Sequence, residues 1–418
     1  MKILHISTSV NASSANTHLH MALKRSGIDS NILVKHCDLE DENIHVINNG
    51  FKDKVINKCS SFWNRQCIKK YEKDENMPFS VSLRGKDISG LEYVQEADII
   101  HLHWICNFLS PYDIYRLMIS GKKIVWTCHD SWPFTGGCHV RYGCERFWHD
   151  CGECPILHSL DQKDITSRIM KNKKKYLMDS PITFIAPSNW MKNNIKNSRL
   201  FRNCDCEVIH NTMDLKLFKE KKSFIRLKYR KETSKYHILF GATSAALPYK
   251  GFHYLIQLLK DLHVYHTQLA KNIVVHVIGA QGSAEKILKE FECVFWGYVS
   301  DQEKMAEIYN LVDVFIYPSI DDNLPNMVME SLACATPVVS FDTGGISDMV
   351  VHKENGYLAS YKDQQDLLNG FFWVLENNDK NRLGKSGRLK IEREFCEEMI
   401  AGKHIELYQH LLDERKRG

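Results

Sequence analysis

Short apolar runs alternate with amphipathic stretches from the first residues onward. Lys2 to Ser7 reads as a strand, a loop of small residues follows, and a helix begins near Thr17 with Leu19, Ala22 and Leu23 on one face; Gly27 ends it. Further apolar runs fall at Ile32 to Val34, Asp98 to His103, Ile124 to Thr127, Thr183 to Ala186 and Glu207 to Ile209. The rhythm restarts at His237 to Gly241 and continues through Ile273 to Ile278, Cys293 to Trp296, Asp313 to Tyr317 and Pro337 to Phe341. Strands that alternate with helices predict parallel sheets, so the pattern indicates an α/β protein with two Rossmann-like domains. The polar, basic segment from Asp214 to Lys235 separates the series. We therefore expect domains over 1–213 and 214–395, with a closing helix over 396–418 packing back toward the first. A chain of 418 residues is long enough for two cores.

Open parallel sheets bind ligands where strands run into loops at their carboxyl ends. After the strand ending at Gly241 the chain reaches Lys250-Gly251 and then Phe252, Leu255, Ile256, Leu259 and Leu262 at helical spacing. This puts Lys250 at a helix N-terminus, where free amides and a full positive charge favour phosphate; a plain surface lysine is the alternative. After the strand ending at Tyr317 come Asp322, Asn323, Leu324 and Pro325, then a largely apolar helix holding Glu330. Asn323 is expected to cap that helix, with Pro325 in its first turn and the amides near Asn323 and Leu324 open to a ligand oxygen. Asp322 and Glu330 lie roughly 7 to 8 Å apart along the axis, a spacing that brackets a ligand with several hydroxyls. In the first domain His129 follows the strand Ile124 to Thr127, and His101-Leu102-His103-Trp104 ends another. A packing role is the alternative for each.

Composition narrows the class. With 44% hydrophobic and 25% charged residues the chain is neither disordered nor fibrous. A net charge of +4 is too small to predict nucleic-acid binding. The lysines at 171, 173, 174 and 175, and the basic stretch Lys216, Lys219, Lys221, Lys222, Arg226, Lys228, Arg230 and Lys231, are either a solvated face or a contact with an anionic membrane surface. The N-terminus lacks a secretory pattern and no window is apolar enough to span a bilayer, so we expect a cytoplasmic protein with reduced thiols. Among 14 cysteines, Cys138, Cys144, Cys151 and Cys154 stand apart, with gaps of five, six and two residues. Structural zinc, plain reduced thiols and a redox pair are all compatible with that spacing.

Asp322 through Glu330, with Asn-Leu-Pro-Asn inside and Ser-Leu-Ala-Cys-Ala-Thr-Pro-Val-Val after, resembles the two-carboxylate signature of retaining family 4 glycosyltransferases. Lys250-Gly251, Asn211, Ser188 and Gly344-Gly345 fall in that family's order. The resemblance implies a GT-B fold whose two sheets face a central cleft, and it implies roles. Glu330 would hold the nucleotide ribose; Asp322, with the amides of Asn323 and Leu324, would hold sugar hydroxyls; Lys250 would neutralise the diphosphate; His129 would reach over the donor sugar. Ala245 stands where the family often has an arginine, and Ser13 and Ser14 occupy the place of a Gly-Gly loop. The cysteines and His101 to Trp104 are similar to those of a bacterial branch making capsule, colanic-acid-like or O-antigen polysaccharide. Transfer from a nucleoside diphosphate sugar to a glycan or polyprenyl-linked acceptor is implied, at the inner face of the membrane and without a catalytic metal. An epimerase or phosphorylase of the same fold is the nearest alternative; a zinc-stabilised nucleic-acid-binding protein is the alternative of another class.

Overall fold

The computed structural model describes residues 1–47, 62–221, 224–230, 234–241, 247–279 and 289–417. Ala242 to Ala246, which include Ala245, lie outside these residues, as do Lys222 and Lys231. The chain divides into two compact units, Met1–Thr212 with Ile400–Gly418, and Met213–Met399.

The first unit is built on seven parallel strands, β1 (Lys2–Val10), β2 (Asp29–Cys37), β3 (Ile44–Val46), β4 (Ile99–Leu102), β5 (Lys123–Thr127), β6 (Ile182–Ala186) and β7 (Cys206–Val208). Their order is β3-β2-β1-β4-β5-β6-β7. Alternation along each strand splits its side chains between two cores. Leu4, Ile6, Ile100, Leu102, Ile124, Trp126 and Phe184 are buried on one face. On the other, Ile3, Ile99, Val125 and Ile185 pack under Leu19 and Leu23 of helix Ala15–Arg25, and under Ile400, Leu407 and Tyr408 of helix Glu397–Arg417. A sheet covered on both sides needs apolar residues at nearly every position, which is why these strands read as continuous runs.

The second unit has six parallel strands, β8 (Tyr236–Gly241), β9 (Ile273–Ile278), β10 (Glu292–Gly297), β11 (Val314–Tyr317), β12 (Val338–Phe341) and β13 (Gly356–Ala359), in the order β10-β9-β8-β11-β12-β13. Ile238, Phe240, Ile316 and Val339 feed one core; Leu239, Phe315, Tyr317 and Val338 feed the other. The short β3 and β13 escaped the apolar pattern. The basic stretch before β8 contains the helix Phe224–Tyr229, and Arg226 and Arg230 there bind the Asn310 carbonyl and Asp313. Among the described residues, no helix is long and apolar enough to cross a membrane.

The lysine run at 171 to 175 is not uniformly solvated. Lys173 is fully buried, its ammonium held by the carbonyls of Trp132 and Thr135 and seated over the Trp132 ring. In helix Ile165–Leu177 it follows Ile169 and Met170 by four and three residues and precedes Leu177 by four, so helical periodicity turns it inward.

Candidate functional site

In each sheet the strand order reverses direction once, and loops diverge there to leave room for a ligand. In the second unit the reversal lies between β8 and β11. Lys250 comes from the loop after β8 and Asp322 from the loop after β11. They meet: Lys250 Nζ lies 2.5 Å from Asp322 Oδ2, and the Tyr317 hydroxyl donates to the same oxygen at 2.6 Å while accepting from Lys250 at 3.1 Å. Burial pulls the Lys250 ammonium toward neutrality, but the Asp322 carboxylate more than offsets this and its pKa is raised. Burial and the same carboxylate push the Tyr317 phenol up. The ammonium has three donors. Asp322 and Tyr317 take two among the described residues.

Two glycines make this convergence possible. Gly251 has φ +73°, and a Cβ there would lie 1.8 Å from the Pro318 carbonyl oxygen. Gly344 has φ +61°, and its Cβ would lie 1.7 Å from the Asp322 carbonyl oxygen, which also accepts from Gly345 N at 3.2 Å. The loops after β8, β11 and β12 therefore touch backbone to backbone.

Lys250 closes a short turn, Pro248–Lys250, and the helix Phe252–Tyr265 begins two residues later. Helix Asn326–Ala333 has Pro325, not Asn323, at its N-cap. The proline supplies the reason: the residue before a proline is steered away from helical geometry, so Leu324 cannot join the first turn. Leu324 is buried. Glu330 is buried too and accepts from the Tyr309 hydroxyl at 2.9 Å. Burial pushes its carboxyl up to about 7, against the opposing pull of that hydrogen bond.

A cavity of about 680 Å³ lined by Lys221, Arg226, Asn310, Asp313 and Pro337 opens at the amino-terminal ends of β11 and β12. Strand polarity argues against it as the ligand site.

In the first unit the reversal falls between β1 and β4. His103 and Trp104 leave β4 there, and His129 leaves the neighbouring β5. His129 Nε2 lies 2.9 Å from His103 Nδ1, and His103 Nε2 lies 2.8 Å from His5 Nδ1. Burial lowers the His129 pKa to about 4, so the ring is neutral. Asp130 accepts from Trp104 Nε1 at 2.9 Å and pairs with His139 Nδ1 at 2.6 Å, and His139 Nε2 lies 2.9 Å from Ser80 Oγ. Burial pushes the Asp130 carboxyl up, yet His139 and the donors around it leave its pKa lowered. Ser188 caps helix Asn189–Asn197. Asn211 lines a cavity of about 10 Å³ with His103, Thr127, His129 and His404. Ser14 hydrogen-bonds Asn11 ahead of helix Ala15–Arg25.

The four cysteines line one cavity of about 20 Å³ with Phe79 and Thr166. Burial raises the thiols of Cys138 to about 12 and Cys154 to about 11, and pushes Cys151 well up. Their donor chemistry suits zinc, but no three of the four sulfurs lie within 4.8 Å of one another. A tetrahedral site with zinc–sulfur bonds of about 2.3 Å would require them to draw together.

His5, Tyr309, Tyr317, His139 and His404 were not singled out for chemistry on their own account. Signals existed for some: histidine recurs at alternate positions of adjacent strands, and Tyr317 ends a strand at a site loop.

A family model for Glycosyltransferase Family 4 matches residues 71–217, and one for group 1 glycosyl transferases matches residues 222–390. Sucrose-phosphate synthase of Thermosynechococcus elongatus superposes with a TM-score of 0.68 over 99% of this chain and 100% of its own, at 17% identity. HepE of Anabaena, solved with UDP, gives 0.64 over 98% and 100%, at 15% identity. The fold is that of GT-B glycosyltransferases. More narrowly, the chain resembles family 4 glycosyltransferases over residues 71–217 and group 1 glycosyl transferases over residues 222–390. WcaC of Escherichia coli (strain K12), named for colanic acid biosynthesis, is 23% identical over 280 residues, covering 65% of this chain and 64% of that protein. CapM of Staphylococcus aureus, named for capsular polysaccharide biosynthesis, is 23% identical over 254 residues, 57% and 66%. The chain thus matches less than two thirds of the length of either relative.

Proposed function

We propose that this chain transfers a sugar from a nucleoside diphosphate donor to a glycan or lipid-linked acceptor, with retention, in the building of a bacterial surface polysaccharide. The observation that carries the reading is the Lys250–Asp322–Tyr317 cluster at the strand reversal, with a buried carboxylic acid, Glu330, on the adjoining helix. A diphosphate oxygen would take the third ammonium donor of Lys250. Asp322, already anchored by Lys250 and Tyr317, would accept from sugar hydroxyls beside the amides of Asn323 and Leu324, and Glu330 from the ribose.

The acceptor hydroxyl attacks the anomeric carbon as the bond to the diphosphate oxygen breaks, and its proton passes to a diphosphate oxygen. Lys250 stabilises the charge gathering on that leaving group. His129 holds the donor sugar on its acceptor side. The names of WcaC and CapM, and the UDP bound by HepE, support the substrate classes. A protein of this kind works at the cytoplasmic face of the membrane, where both substrates are available.

The test is a thermal-stability screen of nucleotide sugars. A ligand bound only by the folded state raises the midpoint with concentration. One nucleotide series should stabilise the protein, and Glu330→Ala should abolish the effect. A folded protein that no nucleoside diphosphate sugar stabilises would end the reading. Product analysis with and without acceptor separates transfer from epimerisation.

A further inference from the structure

Two adjacent strands carry histidine on the same face of the first sheet, and a third leads into one. His5 of β1 is the register partner of His101 on β4, and His103 lies just past the end of β4. His129 follows the end of β5. Closer to the strand starts the same face is apolar, with Ile3, Ile99 and Val125. Helix Glu397–Arg417 covers the histidines: Tyr408 OH lies 2.7 Å from His101 Nδ1, and the His404 ring centroid is 5.8 Å from that of His101.

The ring nitrogens are joined in series, His5 Nδ1 to His103 Nε2 and His103 Nδ1 to His129 Nε2. His5 and His103 are buried, His129 is half-buried, and all three rings are neutral. A neutral imidazole carries one N–H, and each nitrogen–nitrogen bond needs one proton. His103 sits in both bonds, so only two arrangements satisfy the chain. In one, every proton is on Nδ1 and the donors run from His5 toward His129. In the other, every proton is on Nε2 and they run back. The second leaves His5 Nε2–H buried without an acceptor, because that nitrogen has no hydrogen-bond partner among the described residues. The first leaves only a lone pair there. An orphaned buried N–H is the rarer and costlier condition.

We propose that His5 and His103 are positioning residues that fix His129 as its Nδ1–H tautomer, so that His129 meets the donor sugar as a hydrogen-bond donor and not as a base. Nε2 of His129 is occupied as an acceptor, which removes the nitrogen a general base would use. The groups packed around the relay are His20, His101, His404 and Tyr408, with Asp130 beside His129. A metal ion is the competing use of this cluster, since ligand atoms of His5, His101 and His103 lie within 4.8 Å of one another. His101, however, commits its nitrogens to Tyr408 and Thr127, each at 2.7 Å, and its ring packs 4.2 Å from that of His103 at 31°. Rings that pack over one another at such a tilt do not aim their lone pairs at one point.

The assignment of His129 to the sugar rests on the proposed function; its tautomer does not. Long-range proton–nitrogen spectra of the ligand-free, histidine-labelled chain read each tautomer directly, with signals assigned by single substitution. We expect protonated Nδ1 and bare Nε2 at His5, His103 and His129. Protonated Nε2 at His129 overturns the proposal. In His5→Phe the order should be lost, with an Nε2–H population appearing at His129; an unchanged tautomer there also overturns it. Once a donor is known, His103→Phe should lower kcat at least tenfold with KM within about threefold, and His103→Asn, which keeps an amide donor, should recover part. Normal kcat in folded His103→Phe refutes the positioning role while leaving sugar transfer intact. Stoichiometric Co²⁺ binding that is lost in His5→Phe would replace the relay with a metal site.

Discussion

Glu330 combines burial, an apolar helix and a raised pKa, and this fixes what replacing it should do. Val328, Met329, Leu332 and Ala333 around it are all buried, and its described partner is the Tyr309 hydroxyl. With its pKa moved from 4.5 to about 7, the folded state keeps a proton that the unfolded chain has released. Stability from this group is therefore complete below pH 4.5 and falls as pH rises through about 7. A rise from 4.5 to about 7 corresponds to about 3 kcal/mol. Glu330→Gln keeps an acceptor for Tyr309 and removes the ionisation. Comparing thermal or urea unfolding of both proteins at pH 5 and pH 8, the wild type should lose about 2 to 3 kcal/mol more across that interval than the variant, because part of the loss already occurs below pH 5. Any constant cost of burying the amide cancels in the comparison. The same substitution should weaken nucleoside diphosphate binding at pH 8, where a carboxylate is the better acceptor for two ribose hydroxyls. Parallel pH dependences would show that Glu330 is not held in a medium that resists its charge, and the argument would fail.

The remaining expectations concern charge, backbone and sulfur. Lys250→Ala should lose roughly 10²- to 10³-fold in kcat while still binding nucleotide by calorimetry, and Lys250→Arg should recover part; near-normal kcat in Lys250→Ala would assign the leaving group to another cation. Gly344→Ala forces a Cβ against the Asp322 carbonyl at a positive φ, so a folded variant should lose sugar turnover by at least tenfold in kcat; unchanged turnover would mean the Asp322 loop can yield. If the four cysteines close on a metal, protein purified without chelator should carry about one zinc per chain by elemental analysis, and its removal should lower the melting temperature before it changes kcat. Metal-free protein of full stability would leave them as packing residues.

The two parallel sheets were legible because buried strands between amphipathic helices leave a pattern that needs no tertiary knowledge. β3 and β13 were not, being three or four residues long and without an apolar run. Lys250 and Asp322 could each be placed at a strand end, but their pairing could not, since it depends on which strands lie beside β8 and β11. The helix start at Asn326 was misplaced by giving Asn323 the capping role, although Pro325 already carried the information that overrides it. Lys173 was hidden by the charged company it keeps in sequence. Period-two histidines on β1 and β4 were visible as letters, yet only the parallel register of His5 with His101 turns them into one cluster.

Helix Glu397–Arg417 has a consequence for biogenesis. Residues from Ile400 onward belong to the first unit, yet the whole of the second is translated before them. Until Leu407, Tyr408 and Leu411 emerge from the ribosome, one face of the first sheet, with Ile3, Ile99, Val125 and the histidines, has among the described residues only the helix Ala15–Arg25 to cover it. The nascent first unit therefore waits with an apolar surface open while nearly two hundred further residues are made. Its completion waits on that helix, and a chaperone that binds exposed apolar sheet would find its longest opportunity there.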